Sequence, residues 1–304
     1  MRIGDLLERR RPCLSFEFFP PKTDAGVETL MATVKALRIL NPGFISVTYG
    51  AGGSSRARTL EVVKRVKAEL EIEAMAHLTC VGATRDELRG LLAELEAAGI
   101  ENIMALRGDP PKGEEKFRAV EGGLRYATDL IAFLSDEFSF CVGAAAYPET
   151  HPESSSSDDD VRVAVAKVEA GADFLVTQFF FDNETYFRYV ERLRAVGVTV
   201  PIVPGIMPIT SYDAIGRMTQ MSGARIPQRL LAELEARIDE PEAVLELGVA
   251  FCAVQCRELL ARGAPGLHFY TLNKSTATRA VVSALIAANA VHELVPQLAV
   301  PLSP

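Results

Sequence analysis

The sequence predicts a (β/α)8 barrel with extra helices before its last strand, and three observations carry that reading. Eight short apolar runs alternate with helical stretches between residues 13 and 290. Several runs, FISVTY and FLVTQFFF among them, are almost continuously apolar, as strands covered on both faces are. Run after run also ends in polar, chemically capable residues: Glu17, Thr48 and Tyr49, His77 and Thr79, Arg107 and Asp109, Tyr147, Gln178, and Tyr270 with Asn273. Parallel strands joined by crossover helices bring all their C-termini to one rim. Residues scattered along the chain would therefore face one cavity, which is the pattern of an enzyme.

The elements follow in order. A run at 13–19 leads to a helix at 24–40, with Asp24 as its N-cap and Leu30, Val34 and Leu37 on one face. The run 44–49 passes through AGGSS into a helix at 55–70. The run 73–80 precedes a helix opened by Thr84, with Glu87 at capping-box spacing and Gly99 as the stop. The run 102–107 meets the breaker-rich GDPPKG. The run 138–146 ends in the polar loop YPETHPESSSSDDD, whose aspartates at 158–160 open a helix that closes near Gly171. The run 174–181, a helix at 183–195 and the run 200–206 come next. Two or three helices then fill 211–262, more than one crossover needs, before the run 267–272 and a helix at 275–290. The tail LVPQLAVPLSP is Pro-broken and is expected along the surface. No Pro/Ser linker divides the chain, so residues 1–304 read as one domain.

Composition narrows the partners. A formal charge of −8 and a pI near 5.2 argue against nucleic acid or an anionic membrane surface. No apolar core follows the basic N-terminal residues, and no run of about 18 apolar residues occurs. The expectation is a cytoplasmic protein acting on small molecules. Five cysteines without framework spacing fit structural thiols in a reducing compartment. Histidines at 77, 151, 268 and 292 lack any metal-binding spacing, so no metal site is expected.

Glu17 is an isolated carboxylate among Phe16, Phe18 and Phe19. Desolvation by such neighbours would raise its pKa and let it deliver a proton near neutral pH; an outward ion pair is the alternative. Arg107 and Asp109 put a cation and an anion at one strand end, suited to a cofactor phosphate and a planar heterocycle, or to a capped turn. TYGAGG (48–53) fits neither dinucleotide nor P-loop spacing, yet lets a ligand approach the backbone. Tyr147 and His151 offer an aromatic platform on a long loop. Asp160 and Lys167 share a helix face and could bracket a ligand. Gln178 is an amide in an apolar run and needs partners, either core groups or an amide-rich ring. His77 could orient a ligand or be a satisfied core residue, and Lys274 could meet a carboxylate-bearing tail.

Taken together, SFEFFPPK, FISVTYGAGGS, HLTC, NIMALRGDPP, AAYPETHPE, TQFFFD, PGIMPI and LHFYTLNK resemble, in order and spacing, the methylenetetrahydrofolate reductases. The likeness covers residues 13–274 and is to the short bacterial form. It implies FAD at the barrel's C-terminal rim, NADH or NADPH as co-substrate, ping-pong hydride transfer to methylenetetrahydrofolate, and a homo-oligomer. It further implies that Glu17 protonates the folate's bridging nitrogen, and that Asp109 contacts the pterin and influences the flavin's charge. By the same resemblance Thr48, Tyr49, Ala51, His77, Arg107, Gly108, Asp109, Tyr126, Ala127, Tyr147, His151, Asp160 and Lys167 would hold FAD. Gln178 would serve both substrates, and Lys274, where many relatives carry Arg, would meet the folate's glutamate. Rival readings are another barrel enzyme, such as a folate-using methyltransferase or an aldolase, for the latter of which no run offers a Schiff-base lysine, and a catalytically silent folate or flavin sensor. On the acid role, Glu17→Gln should keep fold and cofactor but lose turnover of the proton-requiring substrate.

Overall fold

Strand β1 (Cys13–Phe18) shows how this chain sorts its residues. Successive side chains in a strand point to opposite faces. Leu14, Phe16 and Phe18 accordingly join the large core between strands and helices, whereas Cys13 packs in the lumen with the inward residues of other strands. Ser15 and Glu17 share the parity of Cys13. The phenylalanines that flank Glu17 in sequence therefore lie on the opposite face from it.

The computed structural model describes residues 1–49, 56–110, 113 and 117–291. After helix α1 (Ile3–Arg9) and β1 come α2 (Asp24–Leu37), β2 (Phe44–Val47), α3 (Arg56–Leu70), β3 (Glu73–Thr79), α4 (Arg85–Ala97), β4 (Asn102–Leu106) and α5 (Ala127–Glu137). Then follow β5 (Cys141–Ala146), α6 (Ser157–Glu169), β6 (Phe174–Thr177), α7 (Asn183–Ala195), β7 (Ile202–Val203) and β8 (Gly205–Ile206). Helices α8 (Tyr212–Ser222), α9 (Gln228–Glu235) and α10 (Pro241–Ala261), strand β9 (Gly266–Tyr270) and helix α11 (Thr276–Ala287) complete the order.

All strand pairings are parallel, in the order β7-β6-β5-β4-β3-β2-β1-β9-β8. The ends of that order, β7 and β8, are separated in the chain by Pro204 alone. They form one stave of an eight-stave barrel, as the run 200–206 predicts, but it is split because proline has no N–H to give the ladder. Around the break, the Pro204 carbonyl accepts from His268 N–H at 3.0 Å and Gly205 N–H donates to Thr177 Oγ1 at 2.9 Å. A Cβ on Gly205 would lie 2.1 Å from the Thr177 carbonyl oxygen and 2.7 Å from Tyr270 Cε2. Gly205→Ala should therefore cost about 1–3 kcal/mol, checked by urea unfolding; a variant as stable as the parent would remove the seam argument.

The far end of the barrel is closed by an element the sequence reading did not assign. Helix α1 turns Ile3 and Leu7 into the lumen against Phe44, Met75, Met104, Cys141 and Phe174. Each such fully buried apolar side chain contributes about 1.5–3 kcal/mol. Asn102 fastens the helix, accepting from Ile3 N–H at 2.7 Å and donating to the Met1 carbonyl at 3.0 Å. Two further details differ from expectation. Thr23, not Asp24, caps α2, its hydroxyl accepting from Gly26 N–H at 3.1 Å; Asp24 becomes the first helical residue, where its charge suits the dipole. The run 174–181 leaves the strand at Thr177, because Phe179 and Phe181 pack instead under α8, α9 and α10. The Thr84–Glu87 capping box is present, with both reciprocal bonds formed.

Candidate functional site

Strand register sets the centre of the site. Glu17 pairs with Ser46 on β2 and with Tyr270 on β9, and Ser15 pairs with His268. Five polar side chains of inward parity thereby meet in the rim half of the lumen: Ser15, Glu17, Ser46, His77 and His268, all buried. Glu17 Oε2 lies 3.3 Å from His77 Nε2 and 3.3 Å from His268 Nε2. His268 Nδ1 is 2.8 Å from Ser15 Oγ, and His77 Nε2 is 2.6 Å from Ser46 Oγ. Thr271 fixes the backbone of Glu17, its hydroxyl donating to the Glu17 carbonyl at 2.6 Å.

The electrostatics of Glu17 overturn the sequence-based rationale for it. Burial pushes its carboxyl up, but the charge of His77 and the hydrogen bonds from His268 and His77 outweigh burial and hold it at about 2. The physical reason is the parity described above. Glu17 faces imidazoles across the lumen rather than the phenylalanines beside it in sequence. That balance favours the carboxylate form of Glu17, between two imidazoles.

The hydrogen-bond pattern admits two tautomers of His268. With the Nε2–H tautomer Ser15 donates to Nδ1 and Nε2–H donates to Glu17 Oε2; with the Nδ1–H tautomer Ser15 donates to the Leu267 carbonyl at 3.3 Å and accepts from Nδ1–H. A neutral ring with the Nδ1–H tautomer turns the Nε2 lone pair toward Glu17 Oε2, and two lone pairs repel. The contact is attractive when one proton sits on the pair, on the imidazole or on the carboxyl. Sequence reading missed His268, Ser15 and Ser46 as site residues. The available signal was parity, since each is a polar residue at an inward position of an otherwise apolar strand.

The remaining candidates lie along the same rim. Asp109 is exposed just beyond β4, after Gly108, whose φ of +87° and crowding against Val81 and Thr79 leave no room for a side chain. Arg107 makes a two-pronged ion pair with Glu153, at 2.5 and 2.7 Å. Tyr147 stacks edge-on against His151 with centroids 4.5 Å apart, and His151 N–H donates to Asp160 at 3.2 Å. Tyr126 is exposed and caps α5, whose first residue is Ala127. Thr48 N–H donates to the Phe18 carbonyl, and the Tyr49 hydroxyl accepts from Arg56. Gln178 follows β6 half-buried, its side-chain oxygen accepting from Phe179 N–H at 3.0 Å. Lys274 is exposed in the turn between β9 and α11. Ala51 lies outside the described residues. A groove of about 940 Å3 opens outside the ring, lined among others by Glu149, Asn183, Arg188, Arg225 and Phe251, and holds none of these candidates.

Lys167 has the least ordinary environment. It is buried on α6, its ammonium donating to the Ala145 carbonyl at 2.7 Å and standing 6.0 Å from the Tyr147 ring. Burial lowers it from 10.5 to about 8, against the longer-range pull of Asp160. A buried cation held by a carbonyl and a ring is suited to an incoming anion. Among the described residues no group of His, Cys, Asp and Glu is arranged to hold a metal ion, and no helix is long and apolar enough to cross a membrane.

Comparison with known proteins adds to this geometry. Residues 2–286 match the family model described as methylenetetrahydrofolate reductase. The chain is 40% identical over 283 residues to methylenetetrahydrofolate reductase (NADH) 1 of Arabidopsis thaliana, covering 90% of this chain and 48% of that protein. It is 38% identical over 272 residues to the 5,10-methylenetetrahydrofolate reductase of Escherichia coli, covering 90% of each. The chain thus spans about half the length of the plant relative and nearly all of the bacterial one. Among solved structures, an uncharacterized Clostridium thermocellum protein that binds two copies of 5-methyl-5,6,7,8-tetrahydrofolic acid superposes with a TM-score of 0.64 at 16% identity, covering 97% of this chain and 99% of that one. That likeness is one of fold.

Proposed function

The chain belongs to the methylenetetrahydrofolate reductase family, and from that premise we propose that it reduces 5,10-methylenetetrahydrofolate to 5-methyltetrahydrofolate with NADH or NADPH, by ping-pong transfer through FAD. The observation that carries this reading is the Glu17 carboxyl held between two imidazoles at the inner side of the rim. It is an arrangement suited to acid–base work, a carboxyl within reach of two rings that are each held by a serine hydroxyl.

The residues fit a flavin dinucleotide. Lys167 is a buried cation suited to a phosphate, Tyr147 and His151 form an aromatic corner, and Gly108 lets the backbone after β4 turn tightly against Thr79 and Val81. With Thr48, Tyr49, Ala51, His77, Arg107, Asp109, Tyr126, Ala127 and Asp160 they would make up the cofactor's surroundings. FAD bound there would supply the hydride chemistry, taking it from the nicotinamide and passing it to the folate.

The chain's own part is orientation and one proton. Glu17, supplied from the imidazole it shares a proton with, protonates the folate's bridging nitrogen and opens the five-membered ring. General acid catalysis needs that proton within hydrogen-bond reach and a donor matched to it. Asp109 at the rim accepts from the pterin's N–H groups, Gln178 offers its NH2 end to either substrate, and Lys274 meets the glutamate carboxylate. The protein would work as a cytoplasmic homo-oligomer.

The test is a spectrum. Purified protein should be yellow, bleach under anaerobic NADH or NADPH, and recolour with methylenetetrahydrofolate. A colourless preparation that fails to bind added FAD would sink the reading.

A further inference from the structure

Glu17 has two imidazole neighbours, and only His268 is needed to share its proton. His77 is arranged differently. His268 meets serine and carboxylate through different nitrogens, whereas His77 presents one nitrogen, Nε2, to both: Ser46 Oγ at 2.6 Å and Glu17 Oε2 at 3.3 Å. A ring nitrogen has one bonding direction, a proton or a lone pair. It cannot serve two partners fully at once.

The conflict matters because Glu17 needs opposite things in its two states. As an anion it needs donors; as an acid it is best left to give its own proton away. A fixed donor such as a buried lysine would hold it ionised throughout. A donor with a second acceptor nearby can withdraw without stranding a buried N–H, whose desolvation would otherwise go uncompensated. The Ser46 hydroxyl is fully buried and supplies that second acceptor. The titratable groups facing Glu17 are His77 from β3 and His268 and Tyr270 from β9. The Tyr270 hydroxyl donates to the Thr177 carbonyl at 2.7 Å and is thereby occupied.

We propose that His77 is a positioning residue whose Nε2–H alternates between Glu17 Oε2 and Ser46 Oγ, turning to the carboxyl while it is an anion and to the serine once it carries the proton. No bond other than these hydrogen bonds changes, and the travelling proton is the one that Glu17 gives to substrate. The remaining ring nitrogen, Nδ1, is the one left for a cofactor. The proposal rests on the acid–base role of Glu17 stated above.

Ser46→Ala separates the possibilities, because it deletes one oxygen and leaves His77 in place. With Ser46 gone, Nε2–H has Glu17 as its sole partner and favours the carboxylate. The alkaline limb of single-turnover folate reduction by pre-reduced holoenzyme should move about one pH unit lower. A limb that moves higher would mean that Ser46 donates into an Nε2 lone pair, and overturns the proposal. An unmoved limb would mean packing alone, and also overturns it. A second measurement needs neither turnover nor the Ser46 variant: ¹⁵N NMR of histidine-labelled holoprotein. His77 Nε2 should be protonated in the parent and in Glu17→Gln, with a shifted resonance in the latter; an unprotonated Nε2 in the parent overturns the proposal. Failure of the reductase assay would sink the functional reading, whereas an unprotonated His77 Nε2 in an active enzyme would sink this proposal alone.

Discussion

Replacing Glu17 by Gln lowers methylenetetrahydrofolate reduction by about 10²- to 10⁴-fold, the range expected when a positioned general acid is lost, and leaves bleaching by NADH or NADPH near the parent rate. The amide keeps the size of the carboxyl and can still bond His77 and His268, so the lumen stays filled. It has no proton to give. Stopped-flow measurement of the two half-reactions checks this directly. Loss of both half-reactions together would point to a damaged cofactor site rather than a missing acid. A stability signature accompanies it. The folded carboxyl is held at about 2 against an ordinary 4.5, so its contribution is present above the ordinary value and is lost as pH falls from there through about 2. The parent should lose stability across that window, and Glu17→Gln should not share that component of the loss.

Lys167→Met is expected to act in opposite directions on the empty and loaded protein. Without an anion, the buried ammonium is a burden. Its pKa falls from 10.5 to about 8 on folding, and at about 1.4 kcal/mol per unit the penalty is on the order of 3 kcal/mol. The sign follows from linkage. Between about 8 and 10.5 the unfolded chain binds more protons at this site than the folded one, so stability rises with pH there. Below that window the penalty is present in full. Methionine fills much of the space without the charge, so the apoprotein should gain about 1–3 kcal/mol after losing the bond to the Ala145 carbonyl. FAD affinity should fall at least about ten-fold, the loss of one charge-assisted phosphate contact. Melting curves with and without FAD test both halves. An apoprotein destabilised by Lys167→Met, with FAD affinity unchanged, would show the lysine to be purely structural.

Much of the barrel was legible because its signal is local. Each βα unit carries an apolar run, a breaker and an amphipathic helix, and the Thr84–Glu87 capping box could be read from spacing alone. The environment of Glu17 could not be read the same way. Sequence neighbours suggested an apolar sheath, but alternation along β1 sends Phe16 and Phe18 outward, and the partners that decide its charge come from residues 77 and 268. Register between distant strands brings them together, and no spacing in the chain encodes it. Helix α1 escaped for another reason: Ile3, Leu6 and Leu7 lie at helical spacing but among charged residues, and they become a core only when a lumen exists to receive them. The split at Pro204 was visible as a proline, yet its meaning depended on which neighbours flank it.

The helix that seats Ile3 and Leu7 beneath the strands makes the lumen a cul-de-sac. Bulk water then communicates with the carboxyl and its two rings through the mouth at the rim, and a guest resting there shuts that passage. On the proposed mechanism, a proton spent on the guest while it stays would be replaced from His268 rather than from solution. Exchange of that hydrogen with deuterated solvent should consequently be gated by departure of the product.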